Sequence, residues 1–233
     1  MNAMNRTIYS ILAAAATILG VASCKPDTYS LPDGTLHGKL ICPDGSTLIT
    51  EQPNGFRIRL NEIVDGSIST LPQDFWGKAD GTFNNTRIFK GNYIVQPIEG
   101  AFLTVDPVEV EIGSDTEIDF YVTPLCTINA DISNSGADLI ARYRIEKDPS
   151  AGKIIRARVL VSKWNPNVGM NHMDYENVRE LSAIDDATVQ KTTYTDSILD
   201  ILEAGVTYYV RIAALCENNS GRYNLSEVVK LEM

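Results

Sequence analysis

Two neighbouring segments of this chain, Leu139-Ile140-Ala141-Arg142-Tyr143-Arg144-Ile145 and Ile154-Ile155-Arg156-Ala157-Arg158-Val159-Leu160-Val161, alternate apolar residues with arginine. That period of two restricts them severely. Successive side chains of a strand point to opposite faces, whereas a helix would scatter the arginines around its circumference. Asp148-Pro149-Ser150-Ala151-Gly152 supplies a turn between them, so the pair reads as a hairpin. The same period recurs upstream at Leu36 to Ile41 and at Phe56-Arg57-Ile58-Arg59-Leu60, where Phe56, Ile58 and Leu60 share one face and both arginines face water. Ile88 to Val95, Val108 to Ile112 and Glu117 to Val122 continue it as far as Pro124, with turn chemistry at Pro43-Asp44-Gly45-Ser46 and Asp80-Gly81. Beyond the leader no ten-residue window has a helical period, so the chain is expected to be all-β.

The leader is a separate signal. Arg6 is the only charged residue before Cys24, and the run from Ile8 to Leu19 is too short for a bilayer core that needs about 20 residues. Small residues Gly20, Ala22 and Ser23 follow, which is the layout of a cleaved secretory signal over residues 1–23. Leu19-Gly20-Val21-Ala22-Ser23-Cys24 resembles the bacterial lipobox, which implies that Cys24 becomes a lipidated N-terminus. Lys25 to Pro32 has two prolines and no apolar period, so residues 24–32 read as a tether. Cys24-Lys25-Pro26-Asp27 is similar to the start of Bacteroidetes lipoproteins that face the cell surface from the outer membrane.

Without residues 1–23 the chain keeps 19 basic against 30 acidic residues, a net charge of −11 (19 − 30). This argues against nucleic acid, whose binding rests on neutralising phosphates, and against electrostatic adsorption to membranes. Attachment is left to lipid, which contributes about 0.8 kcal/mol per buried methylene. Cys42, Cys126 and Cys216 remain, no two closer than 84 positions, which excludes CxxC redox and zinc-ribbon motifs. Either Cys126 and Cys216 form a disulfide or all three are buried, inert thiols.

Leu36-x-Gly38, Asp44-Gly45, Asp80-Gly81-Thr82-Phe83 and Gly91-Asn92-Tyr93-Ile94-Val95 resemble the transthyretin-type, carboxypeptidase-regulatory-like β-sandwich, over residues 33–124. In the second half a polar stretch from Asn165 to Asp196 is expected to hold at most one short strand or turn of helix. After it, Leu202, Gly205, Tyr208, Val210, Ile212 and Ala214 resemble the corner between the fifth and sixth strands of fibronectin type III domains, and Leu225 to Leu231 completes the last strand. The resemblance implies a second sandwich over residues 125–233, with Gly205 letting the chain cross between sheets and the Tyr208 hydroxyl bonding backbone just upstream. Lipid signal, transthyretin-like sandwich and fibronectin-like sandwich together resemble a family of uncharacterised Bacteroidetes lipoproteins encoded beside starch-utilisation-type importers. That resemblance implies a neighbourhood, glycan capture at the cell surface with the importer and glycan-binding lipoproteins as candidate partners, and does not name an activity; no cofactor is expected.

Catalytic chemistry is poorly represented. There are two histidines, His37 in the first strand and His172 in Met170-Asn171-His172-Met173, a pattern that soft copper could use but that loops also produce. Asp185-Asp186 are adjacent, unlike the glycosidase carboxylates that stand about 5–9 Å apart across a scissile bond. No GxSxG, HExxH, phosphate-loop or EF-hand pattern occurs, so a non-enzymatic protein is expected. A binding patch has a better basis. If Ile155, Ala157, Val159 and Val161 take the core, then Arg156, Arg158, Leu160 and Trp164 face out, joined by Tyr209 and Arg211 from the neighbouring strand. Such a patch suits a glycan or a protein partner, or is a plain surface whose arginines balance nearby acids. Trp76, beside Asp74 and Phe75, is a second aromatic candidate, expected in a loop. Asp196-Ser197-Ile198 resembles the Bacteroidetes O-glycosylation acceptor, with Ser197 as the modified residue.

Overall fold

The computed structural model describes residues 31–233; the leader, Cys24 and most of the tether lie outside the described residues. Asp33–Met233 form one compact unit, almost entirely β. Its first half contains β1 (Gly34–Ile41), β2 (Arg57–Val64), β3 (Ser67–Ile68), β4 (Gln73–Trp76), β5 (Thr82–Ile88), β6 (Gly91–Ile98), β7 (Val108–Ile112), β8 (Thr116–Glu117) and β9 (Phe120–Tyr121). One sheet places β1 between antiparallel β5 and parallel β8, with β9 continuing along β1. The other orders β3, β2, β6 and β7, with β4 also on β2. Between them lies a core of Leu36, Leu40, Phe56, Ile58, Leu60, Phe83, Tyr93, Val95 and Phe120. The alternation of β2 explains its part, since Ile58 and Leu60 are buried while Arg57 and Arg59 lie at the surface. Gly81 takes φ +76°, and a Cβ there would stand 2.3 Å from the Leu48 carbonyl, so glycine alone lets the chain turn into Phe83.

The second half contains β10 (Cys126–Ser135), β11 (Asp138–Lys147), β12 (Ile154–Lys163), β13 (Tyr175–Glu180), α1 (Asp186–Lys191), β14 (Tyr194–Ile198), β15 (Thr207–Cys216), β16 (Asn224–Leu225) and β17 (Val229–Glu232). A sheet of β10, β11 and β14 faces one of β13, β12 and β15, the last paired with both β16 and β17, so the hairpin expected of β11 and β12 is corrected: the turn at residues 148–152 carries the chain from one sheet to the other, and each strand pairs with other partners. Their shared core includes Leu139, Ala141, Tyr143, Ile145, Val159, Val161, Val210 and Ile212. At the corner, the Tyr208 hydroxyl donates to Ile201 O (2.7 Å) and accepts from Glu203 N–H (3.0 Å), while Gly205 takes φ +80°. These bonds fix the chain where it passes between the sheets.

The polar stretch from Asn165 is richer than expected, holding β13, α1 and the first residues of β14. Its strands lack the usual signal for a physical reason. β13 is an edge strand with no fully buried residue, and β14 turns Asp196 inward, where it accepts from the Tyr143 hydroxyl at 2.6 Å and pairs with Arg179. An inward carboxylate breaks the apolar period. α1 is capped by Asp185, whose Oδ1 accepts from Thr188 N–H at 2.9 Å, and it buries Val189.

Candidate functional site

The outer face of the β12–β15 sheet is not the open patch that strand parity predicts. The chain after β12 and the segment around β16 fold back across it and bury a third apolar cluster of Leu160, Val168, Ala213, Leu215, Tyr223 and Leu225. Leu160 is thus fully buried, and Tyr209 is half-buried against the same cluster. Arg211 is 8% exposed; its Nε donates to Ser226 O (3.1 Å) and its Nη1 to Val168 O (3.3 Å). Burial pulls its pKa down to about 10. Arg211 therefore holds two covering segments in place and is withdrawn from solvent. A register shift between Ile154 and Arg156 also corrects the inner face: Ile154 enters the main core and Ile155 packs half-buried on the outer cluster.

Arg156 and Arg158 join a different constellation, at the junction of the two sandwiches. The Arg158 guanidinium lies 5.6 Å from the Tyr223 ring, and Arg156 Nη1 donates to the Tyr223 hydroxyl at 3.5 Å. Tyr223 N–H donates to the carboxylate of Glu51 from the first sandwich, which also pairs with Arg222 at 3.4 Å. Arg222 reaches back over Trp76 at 5.6 Å, and Arg57 approaches the same ring at 5.1 Å. Trp76 ends β4, paired with Arg57 across the sheet, so the expectation of a loop residue is corrected. Burial raises the pKa of Glu51, opposed by the Tyr223 N–H and by the Arg222 and Arg158 charges. Every arginine here also meets an acid: Arg57 meets Glu99 and Asp74, Arg156 meets Glu180 at 2.7 Å, and Arg158 meets Glu176 at 3.1 Å. The strip is balanced in charge and stitches the two sandwiches together. Asn224 adds to it, accepting from Cys126 N–H (3.1 Å) and donating to Ala101 O (2.8 Å) while 4% exposed.

Trp164 stands apart. Arg156 lies near the junction end of β12 and Trp164 just past the other end, eight residues or about 27 Å along the strand. The residue is 61% exposed, and among the described residues no ring or cation stacks on it. Its backbone takes φ +62°, rare for a bulky residue, and its N–H donates to Thr207 O at 2.9 Å. Asn165 follows and accepts from Asn167 N–H at 2.9 Å, so the ring sits on a tight corner beside two amides. Tyr121, 77% exposed on the first sandwich, is a further open ring that the sequence does not single out.

The remaining candidates are engaged structurally or stand alone. His37 is on β1, an interior strand of its sheet, and its Nε2 lies 3.0 Å from the Asp115 carboxylate that precedes β8. Met170 and Met173 pack on the outer cluster while His172 is exposed, so the three do not converge. Asp186 accepts from Ile154 N–H at 3.1 Å and Asp185 caps α1, which assigns both to the frame. Ser197 is exposed on β14, but the neighbouring Asp196 is committed to Tyr143 and Arg179. Sequence reasoning missed Glu51, Arg57, Arg222 and Tyr223. Only the parity of β2, which turns Arg57 outward, could have flagged one of them. A cleft of about 550 Å³ also opens at the junction, lined by Pro43, Ile49, Pro124, Ile128, Pro149 and Leu225 among others.

Comparison with known proteins agrees with this architecture. Solved DUF3823-family proteins from Bacteroides uniformis (21% identity, TM-score 0.72) and Parabacteroides merdae (24% identity, TM-score 0.67) each match 87% of this chain over 100% of their own length. A candidate carbohydrate-binding protein from Bacteroides uniformis is similar over the same shares, with 23% identity and TM-score 0.68. No curated protein matches the chain. Residues 34–123 match the DUF3823 N-terminal domain, a family of unknown function, and 87% of the chain shares the β-sandwich fold of solved DUF3823-family proteins.

Proposed function

We propose that this protein is a non-enzymatic lipoprotein, anchored through Cys24 in the outer membrane and facing the cell surface, that binds carbohydrate as an accessory to polysaccharide capture and import. The observation that carries the binding reading is the exposed Trp164, held on a left-handed corner and followed by Asn165 and Asn167. A planar ring of this kind packs against the C–H face of a sugar, and neighbouring amides bond its hydroxyls. A relative of similar fold described as a candidate carbohydrate-binding protein supports the same direction. The second reading, a spacer or assembly subunit beside an importer and its glycan-binding lipoproteins, is favoured by the junction, where arginine, tryptophan and buried hydrogen bonds lock two modules together.

One experiment separates them. Membrane-fractionated wild type and Cys24→Ala establish the anchor, and affinity electrophoresis on a polysaccharide panel then compares wild type, Trp164→Ala and Trp76→Ala. The carbohydrate reading expects wild-type retardation on at least one glycan, a tenfold or greater loss for Trp164→Ala, and retention for Trp76→Ala with a lowered Tm. Absence of retardation on every glycan, with co-purification of an importer, establishes the spacer instead. Cys24→Ala remaining with the membranes removes the anchor.

A further inference from the structure

Cys126 opens β10 where the chain enters the second sandwich, and Cys216 closes β15 at the same end. Both are free thiols in this structure, 2% and 0% exposed. The strands that carry them meet closely. Cys126 Sγ is 4.0 Å from Ala214 O, two residues before Cys216, and Cys216 Sγ is 3.9 Å from Leu125 O, the residue before Cys126, so each sulfur lies against the backbone beside the other cysteine. Around them the backbone is fixed: Asn224 accepts from Cys126 N–H at 3.1 Å, and Ile154 on β12 pairs with Cys216. Cys42 is the third described thiol, and its hydroxyl neighbour is Ser46 rather than either cysteine.

Two thiols this close, on backbone that cannot drift apart, are a preformed dithiol. We propose that Cys126 and Cys216 are oxidised to a disulfide in the exported protein, welding the entry of the second sandwich to the end of its β15 strand beside the junction. The proposal rests on the export reading for its setting but not for its geometry. The Sγ–Sγ bond forms as a thiol–disulfide exchange protein outside the cytoplasm gives up its own disulfide. Two electrons pass to that partner, and the two protons end on its reduced thiols. Exchange takes place while the strands close, because the finished core leaves no path to either sulfur. The link closes a loop of 91 residues (126 to 216), long enough for a large constraint on the unfolded chain.

The full-length chain is tested in two arms. In the first, purified protein is unfolded, refolded in an oxidised glutathione buffer, alkylated in denaturant, digested and mapped by mass. The expected product is a Cys126–Cys216 linked peptide two hydrogens lighter than its halves, with Cys42 alkylated; reduction should lower Tm by about 5–15 °C. Cys42→Ser should keep the linked peptide, and Cys126→Ser should abolish both it and the effect of reduction. Alkylated Cys126 and Cys216 in the refolded wild type overturn the proposal. The second arm maps protein isolated from cells with its leader intact. A link formed in vitro but absent from membrane-fractionated protein overturns the proposal and leaves the export reading standing, absence of the protein from the membrane fraction defeats the export reading instead, and failure in vitro defeats the disulfide itself.

Discussion

The two tryptophans occupy opposite circumstances, and the difference separates scaffold from the contact surface proposed above. Trp76 lies within reach of two guanidiniums, one from its own sandwich and one from the other, in a strip where each arginine also meets a carboxylate. Trp164 lies beyond the far end of β12, unstacked among the described residues, on backbone that a bulky residue rarely adopts. A junction built of paired charges and buried hydrogen bonds resists rearrangement. A bare ring on a strained corner adds nothing visible to folding, which is the pattern expected of a residue kept for something outside the protein.

The comparison breaks hardest at Asn224. Replacing it by alanine leaves Cys126 N–H and Ala101 O without partners inside the junction, an expected loss of about 2–4 kcal/mol, seen as a fall in Tm of roughly 5–15 °C by calorimetry. A loss below about 1 kcal/mol would show that water reaches these groups and that the junction is loose.

Glu51 sharpens the same point through pH. Its folded pKa is raised, chiefly by burial, so the folded protein holds this proton more tightly than the unfolded chain does. The stabilisation it contributes is therefore full below its unfolded value of about 4.3 and is lost as pH rises through the folded value. Glu51→Gln, which does not titrate, should flatten that decline in thermal melts taken between about pH 4 and pH 8. An unchanged slope would assign the pH dependence elsewhere.

The smallest expected effect is at the tip. Glycine accepts φ +62° freely, so Trp164→Gly should leave stability unchanged or raise it by up to about 1 kcal/mol in denaturant titration. A loss of about 2 kcal/mol or more would mean that the ring packs in solution, and Trp164 would then belong with Trp76.

Much of the frame was readable in the residues. Phe56, Ile58 and Leu60 fall on the buried face that period two assigns them, and Tyr208 bonds backbone upstream as its spacing from Gly205 implies. The site was far less readable. Arg211 and Leu160 have the parity of outward residues, yet a second layer of Val168, Tyr223 and Leu225 covers them. Val168 and Tyr223 come from stretches without period, and Leu225, expected to begin the last strand, instead ends the separate β16, so nothing in the local pattern announces that they will lie across the sheet. Trp76 was misplaced because Gln73-Asp74-Phe75-Trp76 is too short, between Pro72 and Gly77, to display a strand's alternation.

The order of residues by itself determined which segments are strands and which side of each strand is apolar, because both follow from a backbone that points successive side chains in opposite directions. Only the tertiary structure decided which polar faces stay in water. Glu51 meets Tyr223 across 172 positions of chain, and the Cys126 backbone meets Asn224 across 98. Contacts at that range arise from how two finished modules dock and how loops drape over them, and a pattern of neighbouring residues carries no record of either.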